Sequence, residues 1–195
     1  GPQVVGRWSV VTDSSTAGGA RLSNPNLGAA EVGPFAGPAD YFEMRFNADA
    51  GGAYRVWIRG KAMSNSWQND STWVQFNDSV TSSGQPQYQI GTTSAASVTI
   101  EECSGCVLSN WGWIDNGYGT GVLGPQIFFA NSGEHTVRVQ VREDGLSIDQ
   151  IVLSRDVFLN APPGLARDDG TILTETPGGS NGNPPPPPAV PEIVL

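Results

Sequence analysis

The chain has 195 residues, a net charge of −9 and a pI near 4.4, with 25 Gly, 15 Pro and only 15% charged residues. Gly and Pro at this density interrupt long helices, and too few Lys and Glu remain to solvate helix faces. An acidic surface repels phosphate backbones and anionic lipid, which argues against nucleic-acid binding and membrane docking, and no apolar run approaches the ~20 residues of a membrane span.

The length suits one sizeable core but not comfortably two. Gly1-Pro2-Gln3 is not a signal peptide, so a secreted chain has already lost its leader, or the sequence is one piece of a longer chain. Val4 to Val11 reads as a strand with Trp8 as its large residue, followed by a small-residue loop and an irregular stretch broken by Pro25, Pro34 and Pro38. Tyr41 to Phe46 alternates, with Phe42, Met44 and Phe46 on one face. After a turn at Asp49-Ala50-Gly51-Gly52, Ala53 to Arg59 places Tyr54, Val56 and Ile58 opposite Arg55, Trp57 and Arg59. Ser71 to Asn77 and Val98 to Glu101 are the next strands, and 102–124 is a long loop rich in Gly, Trp and Asn.

Gln126 to Ala130 is apolar and reads as a central strand. His135, Val137, Val139 and Val141 share a face, and Asp144-Gly145 fits the tight turn of a hairpin whose second strand is Leu146 to Leu153. Many short strands without a convincing helix predict an all-β, jelly-roll β-sandwich.

Composition changes after Leu173. Residues 175–189 hold Gly178-Gly179, Asn181-Gly182-Asn183 and five consecutive prolines, Pro184 to Pro188. Such a run forms a stiff polyproline rod of roughly 3.1 Å per residue. Beyond it, Glu192-Ile193-Val194-Leu195 is a short β-favouring stretch, poorly placed to reach its own core and well placed to reach a neighbour's. The expected organisation is a sandwich over 1–174, a linker over 175–189 and a donated strand over 190–195.

Trp57-Ile58-Arg59-Gly60-Lys61-Ala62, Glu101-Glu102-Cys103-Ser104-Gly105-Cys106, Trp111-Gly112-Trp113 with Asp115 to Gly119, and Arg142-Glu143-Asp144-Gly145-Leu146-Ser147-Ile148-Asp149-Gln150-Ile151-Val152-Leu153-Ser154 carry a resemblance. So do Trp67, Asn69-Asp70-Ser71 and Val74-Gln75-Phe76. Together, over roughly residues 4–174, they resemble bacterial galactose-binding-like domains related to family 6 carbohydrate-binding modules. The resemblance implies a β-sandwich, an extracellular or cell-surface setting and attachment through Pro-rich linkers, but not a sugar ligand. Similar domains open with a Glu/Asp-Ile-Val-Leu strand before the Gly-x-Trp segment. Gly6-Arg7-Trp8 lacks it, and the strand stands instead at Glu192 to Leu195, as in a repeat cut one strand out of phase.

Cys103 and Cys106 could be a redox pair or part of a zinc site, but a Gly-rich loop and a lone histidine, His135, suit a structural disulfide better. Trp111, Trp113, Asp115, Asn116 and Tyr118 are candidate sugar ligands, with Trp67 and Asn69 as a second group, because sugar C–H faces stack on aromatic rings while amides and carboxylates meet hydroxyls. The alternative is that the tryptophans fold inward and plug the sandwich. Adjacent carboxylates at Glu101-Glu102 and Glu143-Asp144 do not suit glycoside hydrolysis, since neighbours on a strand point to opposite faces. No catalytic motif is present, so an enzyme is not expected.

Asp149, in a strand that should be half buried, could pair with Arg142, Arg55 or Arg59. No cofactor is called for; a structural calcium, frequent in related sandwiches, has no Asp-x-Asp loop here. Two functions follow. One is a non-catalytic repeat of a fibre or adhesive array, binding copies of itself head to tail through Glu192, Ile193, Val194 and Leu195. The other is a carbohydrate-binding module that targets an enzyme or adhesin to polysaccharide.

Overall fold

Period-2 alternation favours a strand wherever one face can be buried, and the described residues hold thirteen strands. In order these are β1 (Gln3–Val5), β2 (Ser9–Thr12), β3 (Ala20–Ser23), β4 (Tyr41–Ala48), β5 (Arg55–Ala62), β6 (Ser71–Phe76) and β7 (Ser79–Val80). They continue as β8 (Ala96–Thr99), β9 (Gly112–Ile114), β10 (Phe128–Phe129), β11 (Gly133–Val141), β12 (Leu146–Ser154) and β13 (Glu192–Val194). The computed structural model describes residues 1–174 and, as backbone, 192–194; the expected linker 175–189 and Leu195 lie outside the described residues. Single 3-10 turns at Met63–Asn65 and Trp67–Asn69 are the helical elements among the described residues.

The architecture is an all-β sandwich. One sheet has the order β1-β4-β11-β6-β8 and the other β2-β3-β12-β5-β9, with β13 joined to β12. Between them lie Phe42, Phe46, Val74, Phe76, Val137 and Val139 from the first sheet and Tyr54, Val56, Ile58, Ile148, Ile151 and Leu153 from the second, all buried. Phe129 packs edge-on against Phe46, Tyr54 and Phe76 and supplies a closed aromatic end to this core.

Three sequence expectations are corrected. Residues 4–11 are two strands, because Gly6 adopts φ +79° and passes the chain from one sheet to the other. A Cβ at Gly6 would meet Asp40 Oδ1 at 2.1 Å, so the crossing needs glycine. Residues 135–153 are not a hairpin: β11 pairs with β4 and β6, while β12 pairs with β5 and β3 in the opposite sheet. Gly145 does take a positive φ, +83°, but the Asp144-Gly145 turn crosses between layers instead of joining neighbours. Phe128–Phe129 is not central; it pairs with β7 in a separate two-stranded ribbon.

Glu192–Val194 pairs antiparallel with β12 of its own chain, Ile193 opposite Ile151. One edge of β12 is covered by β5 throughout, and the other is divided, β3 taking Ser147–Ile148 and β13 taking Gln150–Val152. The division falls at a β-bulge, where Asp149 has no partner on β5. The bulged Asp149 turns its carboxylate to Arg59, its pairing partner among the arginines considered, and accepts the Ala17 N–H at 3.1 Å. Both side chains of the ion pair are about fully buried.

Candidate functional site

At one end of the sandwich, loops from several strands meet in an open cleft of about 380 Å³. Trp67, Tyr118, Asn116, Asp70, Glu101 and Glu143 line it, together with Glu31 and Arg142. The volume falls in the range of small-ligand sites. Trp67 is 62% exposed and Tyr118 is 69% exposed, so both rings are free to stack on a ligand.

Each aromatic is held from below. Trp67 begins a 3-10 turn capped by Ser66, whose hydroxyl accepts the Gln68 N–H at 3.2 Å. Asn69 ends that turn, buried, with its amide donating to Met63 O at 2.9 Å. Gly145 lies against it: a Cβ there would come within 2.8 Å of Asn69 Cγ. The β5–β6 loop is thereby fastened to the β11–β12 crossing. Tyr118 rides a loop whose two ends are tied to one carboxylate. Asp115 accepts the Gly117 N–H at 2.8 Å and the Gly124 N–H at 2.9 Å, and pairs with Arg55 at 2.8 Å. Asn116 adds an amide bond to Pro125 O at 3.0 Å.

The cleft floor is a pair of carboxyls. Asp70 is 2% exposed and Glu143 5%. Asp70 accepts the Glu101 N–H at 2.9 Å, while Glu143 accepts the Asp70 N–H at 3.2 Å and the Ser71 hydroxyl. Burial, followed by the hydrogen bond and repulsion from Glu143, pushes Asp70 up to about 8. At neutral pH Asp70 therefore stays largely protonated. Arg142, the one cation lining the cleft among the described residues, is engaged by Glu31 at 2.8 Å and lies over the Trp73 ring at 5.3 Å.

The structure gathers Trp67, Asn116 and Tyr118 from the two sequence-predicted groups into one cleft and places the other four elsewhere. Trp113 is 1% exposed, packs with Trp57 and Val152, and donates to Thr171 O at 3.1 Å. Trp111 is also buried, its indole donating to Ser15 Oγ at 2.9 Å beneath Lys61. These two tryptophans fold inward and cover the outer face of the β12 sheet. Asp115 is an anchor beneath the loop and Asn69 a brace within it, so neither presents its side chain to a ligand. Sequence reasoning missed Asp70, Glu31, Arg142 and Glu143 as site residues. Their signal was weak, because Glu143 sits beside an apparent hairpin turn and Asp70 lies at a strand start.

Cys103 and Cys106 form a disulfide near the base of the same loop region, with the Arg167 guanidinium against both sulfurs. Among the described residues, no group of three or more His, Cys, Asp or Glu is placed to hold a metal ion, and no helix is long and apolar enough to cross a membrane.

No protein-family model matches the sequence, and no curated protein matches it. Similar solved structures include a family 35 carbohydrate-binding module from Clostridium thermocellum, at 15% identity and a TM-score of 0.39, covering 78% of this chain and 90% of that one. Another is an exo-β-1,3-galactanase from Phanerochaete chrysosporium, solved with galactose, at 14% identity and a TM-score of 0.37. That match covers 77% of this chain but only 27% of the galactanase.

Proposed function

We propose that this chain is a non-catalytic extracellular β-sandwich unit that binds polysaccharide in the cleft lined by Trp67 and Tyr118. The observation that carries this is the pairing of two exposed aromatic side chains with polar side chains in one open cleft. Sugar rings offer apolar C–H faces to the aromatics and hydroxyls to Asn116 and the carboxyls. Hydrolysis is not part of the function, since Asp70 and Glu143 interact with each other instead of flanking a bond from opposite sides. The disulfide suits an oxidising compartment. Affinity electrophoresis against a panel of soluble polysaccharides tests the site. A Trp67→Ala/Tyr118→Ala double variant should lose at least about tenfold in affinity for whichever polysaccharide retards the parent chain, given the ~1.4 kcal/mol such stacking supplies. Undiminished retardation of that folded variant would move the site elsewhere.

A second function is favoured by the terminal strand. Glu192–Val194 occupies a seat on β12 that no other strand fills among the described residues, and a second copy's strand could occupy it with the same register. In that arrangement units join head to tail into a fibre or adhesive array, the contact being heterologous and therefore open-ended. Leu173, whose N–H and C=O bond the Gln150 side chain at 3.0 and 2.7 Å, marks where the chain leaves the same stretch of β12 that Val194 pairs with. Exchange trades identical contacts, so loop closure decides between the two states. A flexible tether holds its strand at an effective concentration near the millimolar range, and a stiff polyproline run lowers it. Sedimentation velocity over a rising concentration series should show polymers that vanish when 190–195 are deleted. Polymers that persist after deletion would overturn this contact.

A further inference from the structure

The cleft carries a charge signature that the glycan function does not require. Of its lining side chains, Glu31, Asp70, Glu101 and Glu143 are acidic, against Arg142 alone. Arg142 is already engaged by Glu31 and stands 3.7 Å from Glu143 Oε1. Asp70 and Glu143 are almost wholly buried and receive only backbone N–H and hydroxyl donors besides that distant guanidinium. Glu101, half buried at the rim, makes no side-chain ion pair.

We propose that the cleft selects glycans bearing a protonated amine, that is, polysaccharides containing non-acetylated amino sugars. This deepens the glycan-binding function and rests on it. An ammonium group has three donors and no acceptor, which matches a floor and rim of carboxylate acceptors. A uronic acid would bring a further negative charge beside Glu101 and Glu143. An N-acetylated sugar would present a neutral amide and leave that potential unanswered. A bare divalent cation is less well served, since the carboxyls around the cleft are not placed as a metal-binding group. Trp67 and Tyr118 would stack on the sugar face while the amine points down, and amines are themselves attracted to aromatic faces.

The binding step has a proton consequence. Asp70 keeps its proton at neutral pH chiefly because it is buried, and then because of Glu143. A seated ammonium would favour the ionised carboxylate, and the Asp70 proton would pass to the buffer. The other titratable groups facing the pair are Glu31, Glu101, Arg142 and Tyr118.

Isothermal titration calorimetry of the full chain with glucosamine, N-acetylglucosamine and galacturonate hexamers tests this, repeated in two buffers of different ionisation enthalpy and with calcium or chelator. The glucosamine hexamer should bind about tenfold or more tighter than the N-acetylated one and release close to one proton per site, a coupling expected for close charge pairs. Glu101→Gln should weaken glucosamine binding about fivefold or more while leaving the fold intact by circular dichroism. Trp67→Ala should weaken it about fivefold to tenfold, which separates a seated ligand from diffuse attraction to an acidic chain. Equal affinity for both hexamers, or calcium-dependent preference for galacturonate, overturns the charge selection and leaves the glycan function standing. Binding unaffected by Trp67→Ala overturns both.

Discussion

Asp70→Asn should make the protein more stable in alkaline solution. The folded-state carboxyl lies at about 8, above its ordinary 3.8, chiefly through burial and then through Glu143. Because the folded pKa exceeds the unfolded one, the folded chain binds the extra proton between those limits. Stability is therefore undiminished by this group below about pH 4, falls as pH rises, and carries the whole penalty above about pH 8. Moving one carboxyl across that interval has a ceiling of about 6 kcal/mol. Proton sharing with Glu143 and water reaching the pair from the cleft reduce the expected effect to about 1–3 kcal/mol. Asparagine copies the protonated form: its oxygen can still accept the Glu101 N–H and its amide can donate to Glu143. Thermal melts of both proteins from pH 5 to pH 9 give the readout. The curves should lie closest at pH 5 and diverge to about 3–9 °C at pH 9, the variant above. Parallel curves, or a variant less stable at pH 9, would refute the buried shared proton.

Asp149→Ala should cost about 3–5 kcal/mol, measured by urea unfolding, because Arg59 is left buried without its carboxylate; a loss below 1 kcal/mol would contradict its being a closed pair. Trp113→Ala should destabilise by a similar ~3–5 kcal/mol through the cavity left against Trp57 and Val152, with glycan affinity unchanged in whatever fraction stays folded. Asp115→Asn should loosen the 116–124 loop by removing the charge opposite Arg55, seen as faster amide exchange at Gly117 and Gly124; unaltered exchange there would show that the loop is held by other bonds.

The strands that alternate cleanly were legible in sequence. Tyr41–Ala48, Arg55–Ala62 and Ser71–Phe76 stand within three residues of where the pattern puts them. The burial of both faces of β5 was not legible, since Trp57 and Arg59 face away from the inter-sheet core and are covered by segments from much later in the chain. Pairing was also hidden. A strand, a turn residue with positive φ and a second strand describe a hairpin and a crossing between layers equally well, and only packing against β4, β5 and β6 decides. The cleft mixed both situations. Trp67 and Tyr118 were found by residue type, yet Trp111 and Trp113 share that type and lie inside, because local sequence does not say which aromatic has a sheet to cover. Asp70 and Glu143 sit far apart in the chain and meet only through the fold.

An uncovered sheet edge invites any passing strand, and most proteins blunt theirs with charge, proline or a bulge. Here Glu192–Val194 covers Gln150–Val152. A chain without that strand would present three bare main-chain rungs beside a bulge, the stretch of β12 where the ladder is already interrupted at Asp149.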